Sequence, residues 1–208
     1  MNKVLAYFFP NRCPSCGNLT AYNKTFCDEC KSKLVVYSST EKTFCAPFIY
    51  EQSAKEAVIK LKFETDETVA HNMADEMSAC IDKYFKDYDF DIVIPVPMMK
   101  NEKSSRGFNQ SELLAKYIRK DGDKIKLDCK SLKKVRETKA QHTLTAAERS
   151  VNLKNAFAVS DSENISGKDI LLIDDIRTTG TTVSECKRVL KRAGANEICT
   201  AVFAVAKL

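Results

Sequence analysis

Two groups of residues have types and spacing suited to chemistry. The first is Asp174 and Asp175, followed closely by Thr178, Thr179, Gly180, Thr181 and Thr182 in "DILLIDDIRTTGTTVSE". Four apolar residues, Ile170 to Ile173, lead into the carboxylates, and the Thr/Gly turn leads out into a helical pattern. Such a turn makes an anion site, because the first helical amides lack intrahelical partners and sit at the positive end of the helix dipole. Turn amides and Thr hydroxyls add donors. Carboxylates repel phosphate, so Asp174 and Asp175 call for hydroxyl donors or a divalent cation beside it. A phosphorylated ribose satisfies both halves, as an acidic residue on ribose hydroxyls does in dinucleotide folds. A plain Asx-capped turn is the alternative. Neither GxxxxGK[ST] nor a GxGxxG after a strand occurs.

The second group is Cys13-x2-Cys16 and Cys27-x2-Cys30, with ten residues between the pairs. Two knuckles of this kind present four thiolates tetrahedrally to a structural Zn²⁺. Two disulfides, free thiols or an iron site are the alternatives. A closed four-thiolate site has no open position, so its role is stability or partner binding. Gly17 relieves the backbone where it turns beneath the metal. Of the other five cysteines, Cys186 and Cys199 lie in apolar patterns, as buried thiols do. Cys45 reads as a buried thiol or the remnant of a second site. An odd total of nine argues against a secreted disulfide framework.

The 208 residues are 44% hydrophobic and 29% charged, which suits a globular chain with a real core. No apolar run approaches the roughly 18–20 residues of a membrane span. The first residues lack the apolar core of a signal peptide, so a cytoplasmic location is expected. The net charge of +5 is uneven: residues 98–154 hold 15 Lys and Arg against 7 Asp and Glu. That asymmetry points to a solvated surface or to a phosphate-rich partner.

These groups need elements to position them. "SAKEAVIKLKF" predicts a helix with Ala54, Val58 and Leu61 on one face. "TVAHNMADEMSACIDKYF" predicts another, with Val69, Met73, Met77, Ile81 and Phe85 four apart. "FDIVIPVP" is a short strand stopped by prolines. "NQSELLAKYIRK" reads as a helix with a capping box at Asn109 and Glu112, and Leu113, Leu114, Tyr117 and Ile118 as its stripe. "NAFAV", "DILLID" and "EICTAVFAVA" are strands. "TTVSECKRVLKRAG" is a helix with Val183, Cys186, Val189, Leu190 and Ala193 inward and Gly194 at its end. Strands alternating with helices imply an α/β fold with a mainly parallel sheet. The expected division is a ribbon at 1–46 and an α/β domain at 47–208.

"LLIDDIRTTGTT" resembles the phosphoribosyl-pyrophosphate (PRPP) motif of type I phosphoribosyltransferases. "IPVP", "RGFNQSELLAK" and "VRETKAQHTLTAAERSVNLKNAF" extend the resemblance over nearly the whole chain, to the ComF family of competence proteins. The resemblance implies an N-terminal zinc ribbon joined to a type I phosphoribosyltransferase-like domain, a mainly parallel sheet flanked by helices. It implies PRPP with Mg²⁺ at Asp174 and Asp175 and the 5′-phosphate at Thr178 to Thr182. It further implies a role in DNA uptake and natural transformation, with single-stranded DNA and a competence-machinery protein (a helicase or DNA-processing factor) as partners. An active phosphoribosyltransferase on a small acceptor, or a PRPP sensor without turnover, are the alternatives.

Departing pyrophosphate needs cations. Arg106 is the first candidate, since its planar fork suits phosphate oxygens. Lys139 and Arg149, with Lys133, Lys134 and Arg136, belong to a basic stretch that reads as a lid over PRPP or as a DNA track. Family members commonly carry an extra Arg where Glu102 stands, and Lys100 and Lys103 are possible compensations. Purine-salvage transferases place a carboxylate where Thr178 stands. His71, four residues before Asp75, reads as structural, and His142 lies in the basic stretch. No HExxH or Ser/His/Asp arrangement supports hydrolase chemistry.

Overall fold

The structure, a computed structural model, describes residues 11–21, 24–63, 67–138 and 152–207, without the side chains of Lys100, Ser105 and Arg106. Its centre is a six-stranded sheet in the order β1 (Phe44–Cys45), β10 (Ile198–Val205), β9 (Ile170–Arg177), β3 (Ile92–Pro95) and β6 (Lys126–Leu127); β2 (Phe48–Ile49) also pairs with β10. Every pairing in this sheet is parallel. Parallel strands are covered on both faces, and here they read as continuous apolar runs. All eight residues of β10 except Val205 are buried.

Alternation along the strands divides the core in two. Val93, Leu171, Ile173, Ala201 and Phe203 face α2 (Gln52–Phe63) and α3 (Glu67–Tyr84). Ile92, Ile94, Ile170, Leu172 and Ile198 face α6 (Thr181–Arg192) and Phe157 of β8 (Phe157–Val159). The expected stripes are the buried ones: Ala54, Val58 and Leu61 on α2, and Val69, Met73, Met77 and Ile81 on α3. Phe85, just past α3, is also fully buried. Gly194 follows α6 with φ of +92°, the left-handed conformation of a helix stop.

One expected helix is shorter than its pattern. Only Gln110–Ala115 is helical (α5, preceded by α4 at Lys100–Arg106). Arg119–Lys120 instead forms β4, paired antiparallel with β5 (Asp123–Lys124). Asp121 and Gly122 both have positive φ, so the "DG" turn overrides the helical pattern. Leu114 and Ile118 are still buried. The capping box is half made: Asn109 accepts from the Ser111 amide, while Glu112 binds Lys103 at 2.6 Å. A second antiparallel pair joins β7 (Leu132–Lys134) to β8.

The cysteine segment, with α1 (Asp28–Ser32) after Cys27, packs against the sheet and its helices. Phe26, 1% exposed, meets Phe48 edge-on at 6.1 Å, and Phe48 meets Phe203 at 5.4 Å. Asn72 of α3 donates to the Arg12 carbonyl, Thr25 bonds Glu76, and Ser15 bonds Glu56 of α2. This interface braces α2, whose C-terminal end reaches the site, and α3 packed beside it. Phe48 is its central ring, so Phe48→Ala should cost about 3–5 kcal/mol, the usual penalty for deleting a buried ring, read as a lower denaturant midpoint.

Candidate functional site

Strand β3 ends at Pro95, opposite Ile173 of β9. Strand β9 continues to Arg177, paired only with β10. Its free edge from Asp174 onward opens onto a cleft of about 510 Å³ at the carboxyl ends of the strands. Open α/β sheets bind ligands in this position. Asp174, Asp175, Thr178, Gly180 and Thr182 line the cleft. Thr179 and Thr181 do not, and their hydroxyls bond one another at 2.9 Å.

Gly180 precedes α6 with φ of +78°, and a Cβ there would lie 3.1 Å from Arg177 Nε. The first turn of α6 carries no acidic residue, so its amide end stays positive. The turn therefore suits an anion.

The carboxylates are held differently. Asp174 is half-buried, and its Oδ1 accepts from Ser111 Oγ at 2.8 Å and from the Asp175 amide at 2.9 Å. Burial, and then the neighbouring Asp175, push its pKa up to about 7, against the lowering effect of these bonds and Lys62. Asp175 is buried and pairs with Lys62 Nζ at 3.2 Å. Adjacent carboxylates beside an anion site supply what Mg²⁺ uses, one or two carboxylates together with phosphate oxygens of a ligand, so the residues fit Mg²⁺.

At the other end of the chain the four Sγ atoms of Cys13, Cys16, Cys27 and Cys30 lie within 4.8 Å of one another. A tetrahedral zinc with Zn–S near 2.3 Å needs sulfurs about 3.8 Å apart, and Cys16 and Cys27 are 3.7 Å apart. The Cys30 amide points at Cys27 Sγ, and the Gly17 amide closes the first knuckle on the Cys13 carbonyl. Gly17 has φ of +78°, a conformation that favours glycine, and a Cβ there would displace the flexible end of Lys60, whose Nζ would lie 2.7 Å away. The cluster fits structural zinc.

A family model described as "Phosphoribosyl transferase domain" matches residues 70–207, and one described as "Double zinc ribbon domain" matches residues 4–53. The chain is 30% identical to Competence protein ComFC of Streptococcus pneumoniae over 188 residues, 90% of this chain and 78% of that one. The chain belongs to the ComF family of competence proteins. It is also 36% identical to Competence protein F of Haemophilus influenzae over 107 residues; there the match covers 51% of this chain and about half, 46%, of the relative. A hypoxanthine phosphoribosyltransferase from Staphylococcus aureus superposes with a TM-score of 0.38 at 18% identity, covering 69% of each chain. The parallel sheet and the domain match establish the type I phosphoribosyltransferase-like fold.

Within this ComF-family chain, the described residues hold one four-cysteine cluster. Cys45 is fully buried in β1, as a core thiol. Glu102, where relatives were expected to carry Arg, lines the cleft and pairs with Lys134 at 3.2 Å. Lys103 is engaged by Glu112. Arg106 is the last residue of α4, before Gly107 at φ +84°; its side chain, like Lys100's, lies outside the described part. Lys139, His142 and Arg149 also lie outside the described residues. Arg136 donates to the carbonyls of Asn152 and Lys154, a scaffold role. His71 lies 3.4 Å from Asp75 and edge-on to Tyr117, on the outside of α3.

Sequence reasoning missed several cleft residues: Tyr50, Lys62, Gln110 and Ser111. "RGFNQS" was legible as a motif, but nothing local assigned Ser111 to Asp174. No helix among the described residues is long and apolar enough to cross a membrane.

Two outcomes follow from this geometry. Zinc analysis should find one ion per chain, lost in Cys13→Ser/Cys16→Ser with a fall in Tm. For Asp174, a carboxyl whose folded pKa is raised is most favourable while protonated, and its contribution is lost as pH rises from about 4 through about 7. Asp174→Asn keeps an Oδ1 acceptor for both hydrogen bonds. It should raise the Tm of the ligand-free protein by roughly 2–4 °C at pH 8, the shift about 1 kcal/mol produces in a chain this size. The gain should shrink toward pH 4.

Proposed function

We propose that this protein acts in DNA uptake and natural transformation as a cytoplasmic PRPP-binding competence protein. The carrying observation is that Asp174, Asp175 and the Thr178–Thr182 turn open onto a single cleft. The amide end of α6 would take the 5′-phosphate, with Thr178 and Thr182 in the cleft wall. The carboxylates would receive ribose hydroxyls or hold Mg²⁺, which when bound neutralises diphosphate charge. Arg106, Lys139 and Arg149 are assigned to the diphosphate end, on their charge and the family pattern. The names of the relatives, competence proteins and "DNA utilization protein YhgH" of Escherichia coli, support the cellular role.

Single-stranded DNA is assigned to the basic stretch 98–154, whose net charge is +8. The ribbon, closed around its thiolates, serves as a brace and as a docking face for a competence-machinery protein. Thr178 stands in the cleft where a purine-salvage enzyme would use a carboxylate, so 6-oxopurine salvage is disfavoured.

One titration series tests the assignment. Wild type should bind PRPP with Mg²⁺ by calorimetry, and Asp174→Asn/Asp175→Asn should lose that binding at least about tenfold, the cost of removing charge-assisted contacts. The same variant should keep salt-dependent binding to single-stranded oligonucleotides. Absence of PRPP binding in wild type refutes the ligand, and binding to oligonucleotides that ignores salt refutes the DNA role. Pyrophosphate release over a panel of bases and amines separates a transferase from a sensor.

A further inference from the structure

Lys62 lies between the two matched segments, 4–53 and 70–207, and belongs to neither. Near the end of α2 it reaches across to the cleft, where its Nζ sits 3.2 Å from Asp175 Oδ2. Its side chain is 31% exposed and that of Asp175 is 11% exposed, so the lysine has room to move and the carboxylate has little. An ammonium has three donors, and its contact with Asp175 is an ion pair. Asp175 has the strand parity of Leu171 and Ile173, which pack toward α2 and α3. The pair is thus built by the fold, on the face the ribbon braces.

A second observation in the same cleft points to a ligand. Gln110 is 3% exposed and lines the cleft, and its Nε2 has no hydrogen-bond partner among the described residues. A buried donor left unpaired is costly. It calls for an oxygen acceptor, which the protein does not supply and an oxygen-rich ligand would.

We propose that Lys62 is an exchangeable counter-ion: it holds Asp175 in the free protein, yields it to the divalent cation, and then binds an anionic oxygen of the incoming ligand alongside Gln110. The inference rests on the phosphoribosyl ligand assigned above. Its logic is charge balance. Two adjacent carboxylates in a half-buried cleft are relieved by a nearby cation, and the lysine provides one to Asp175 before the metal arrives. A divalent ion on Asp175 repels the ammonium, whose flexible four-carbon stem lets it swing to the phosphate side. Lysine and metal therefore compete for one carboxylate and cooperate on one ligand.

That combination predicts opposite signs for two binding constants. With zinc-loaded full-length protein, Mn²⁺ alone should bind Lys62→Met about fivefold or more tighter than wild type, since one unit charge no longer opposes it. PRPP at saturating Mn²⁺ should bind the same variant about tenfold or more weaker, through the lost charge-assisted bond. Lys62→Arg should keep Mn²⁺ affinity near wild type, showing that charge and not folding is read. Gln110→Met should weaken PRPP and leave Mn²⁺ alone unchanged. Mn²⁺ affinity that is unchanged or weaker in Lys62→Met overturns the proposal whatever PRPP does. So do two constants that shift in the same direction. Failure of wild type to bind PRPP instead removes the ligand assignment and with it the exchange, while the Mn²⁺ arm still decides whether Lys62 opposes a cation.

Discussion

Strand β9 is hydrogen-bonded on both sides up to Ile173 and on one side only from Asp174 to Arg177. Pro95 is the last residue of β3 and Pro97 sits where the strand would otherwise continue beside β9, and a proline brings no amide to a ladder. The Val96 amide makes the last contact, to the Ile173 carbonyl at 2.8 Å. Everything chemical in the cleft depends on this early stop. Were β3 four residues longer, the edge that exposes Asp174 and Asp175 would be covered. The following turn and α6 would lack an open side.

The stop creates an electrostatic problem that the surrounding elements divide among themselves. Ser111 on α5 and a backbone amide hold Asp174, while Lys62 on α2 holds Asp175. Even so, Asp174 is a weaker acid than an ordinary aspartate, because burial and its neighbour outweigh these partners. The site is therefore held at a cost to stability, as binding sites commonly are. Glu102 and Lys134 neutralise each other across the cleft, so not every charge lining it is available to a ligand.

The ribbon takes part in this arrangement mechanically. None of its described residues lines the cleft, yet Ser15, Arg12 and Thr25 are tied to α2 and α3, and Phe26 meets Phe48 edge-on, as Phe48 meets Phe203. Strands β1, at the end of the ribbon segment, and β2, just after it, are edge strands of the main sheet. Cysteine segment and sheet thus share one apolar core that includes Cys13 and Cys30. A metal at the thiolates would stiffen the helix that carries Lys62.

Much of this was legible from local pattern alone. Val69, Met73, Met77 and Ile81 at spacing four describe a helix face whatever it packs on, and the CxxC pairs describe a metal-sized cluster. The run from Ile170 to Ile173 into two aspartates and a Thr/Gly turn specified a strand, an anion turn and a helix in order. Such features depend on neighbours a few residues away. Where local signals conflicted, as at Lys116–Lys120, periodicity lost to the positive φ of Asp121 and Gly122. What only the tertiary structure decided was which distant residues meet. No local spacing marks Lys62 among the three lysines of α2, and Gln110 is simply the first residue of a helix. Their places in the cleft follow from the sheet order, the early end of β3 and the docking of α2. Contacts between residues more than a hundred positions apart depend on packing, which no local spacing encodes.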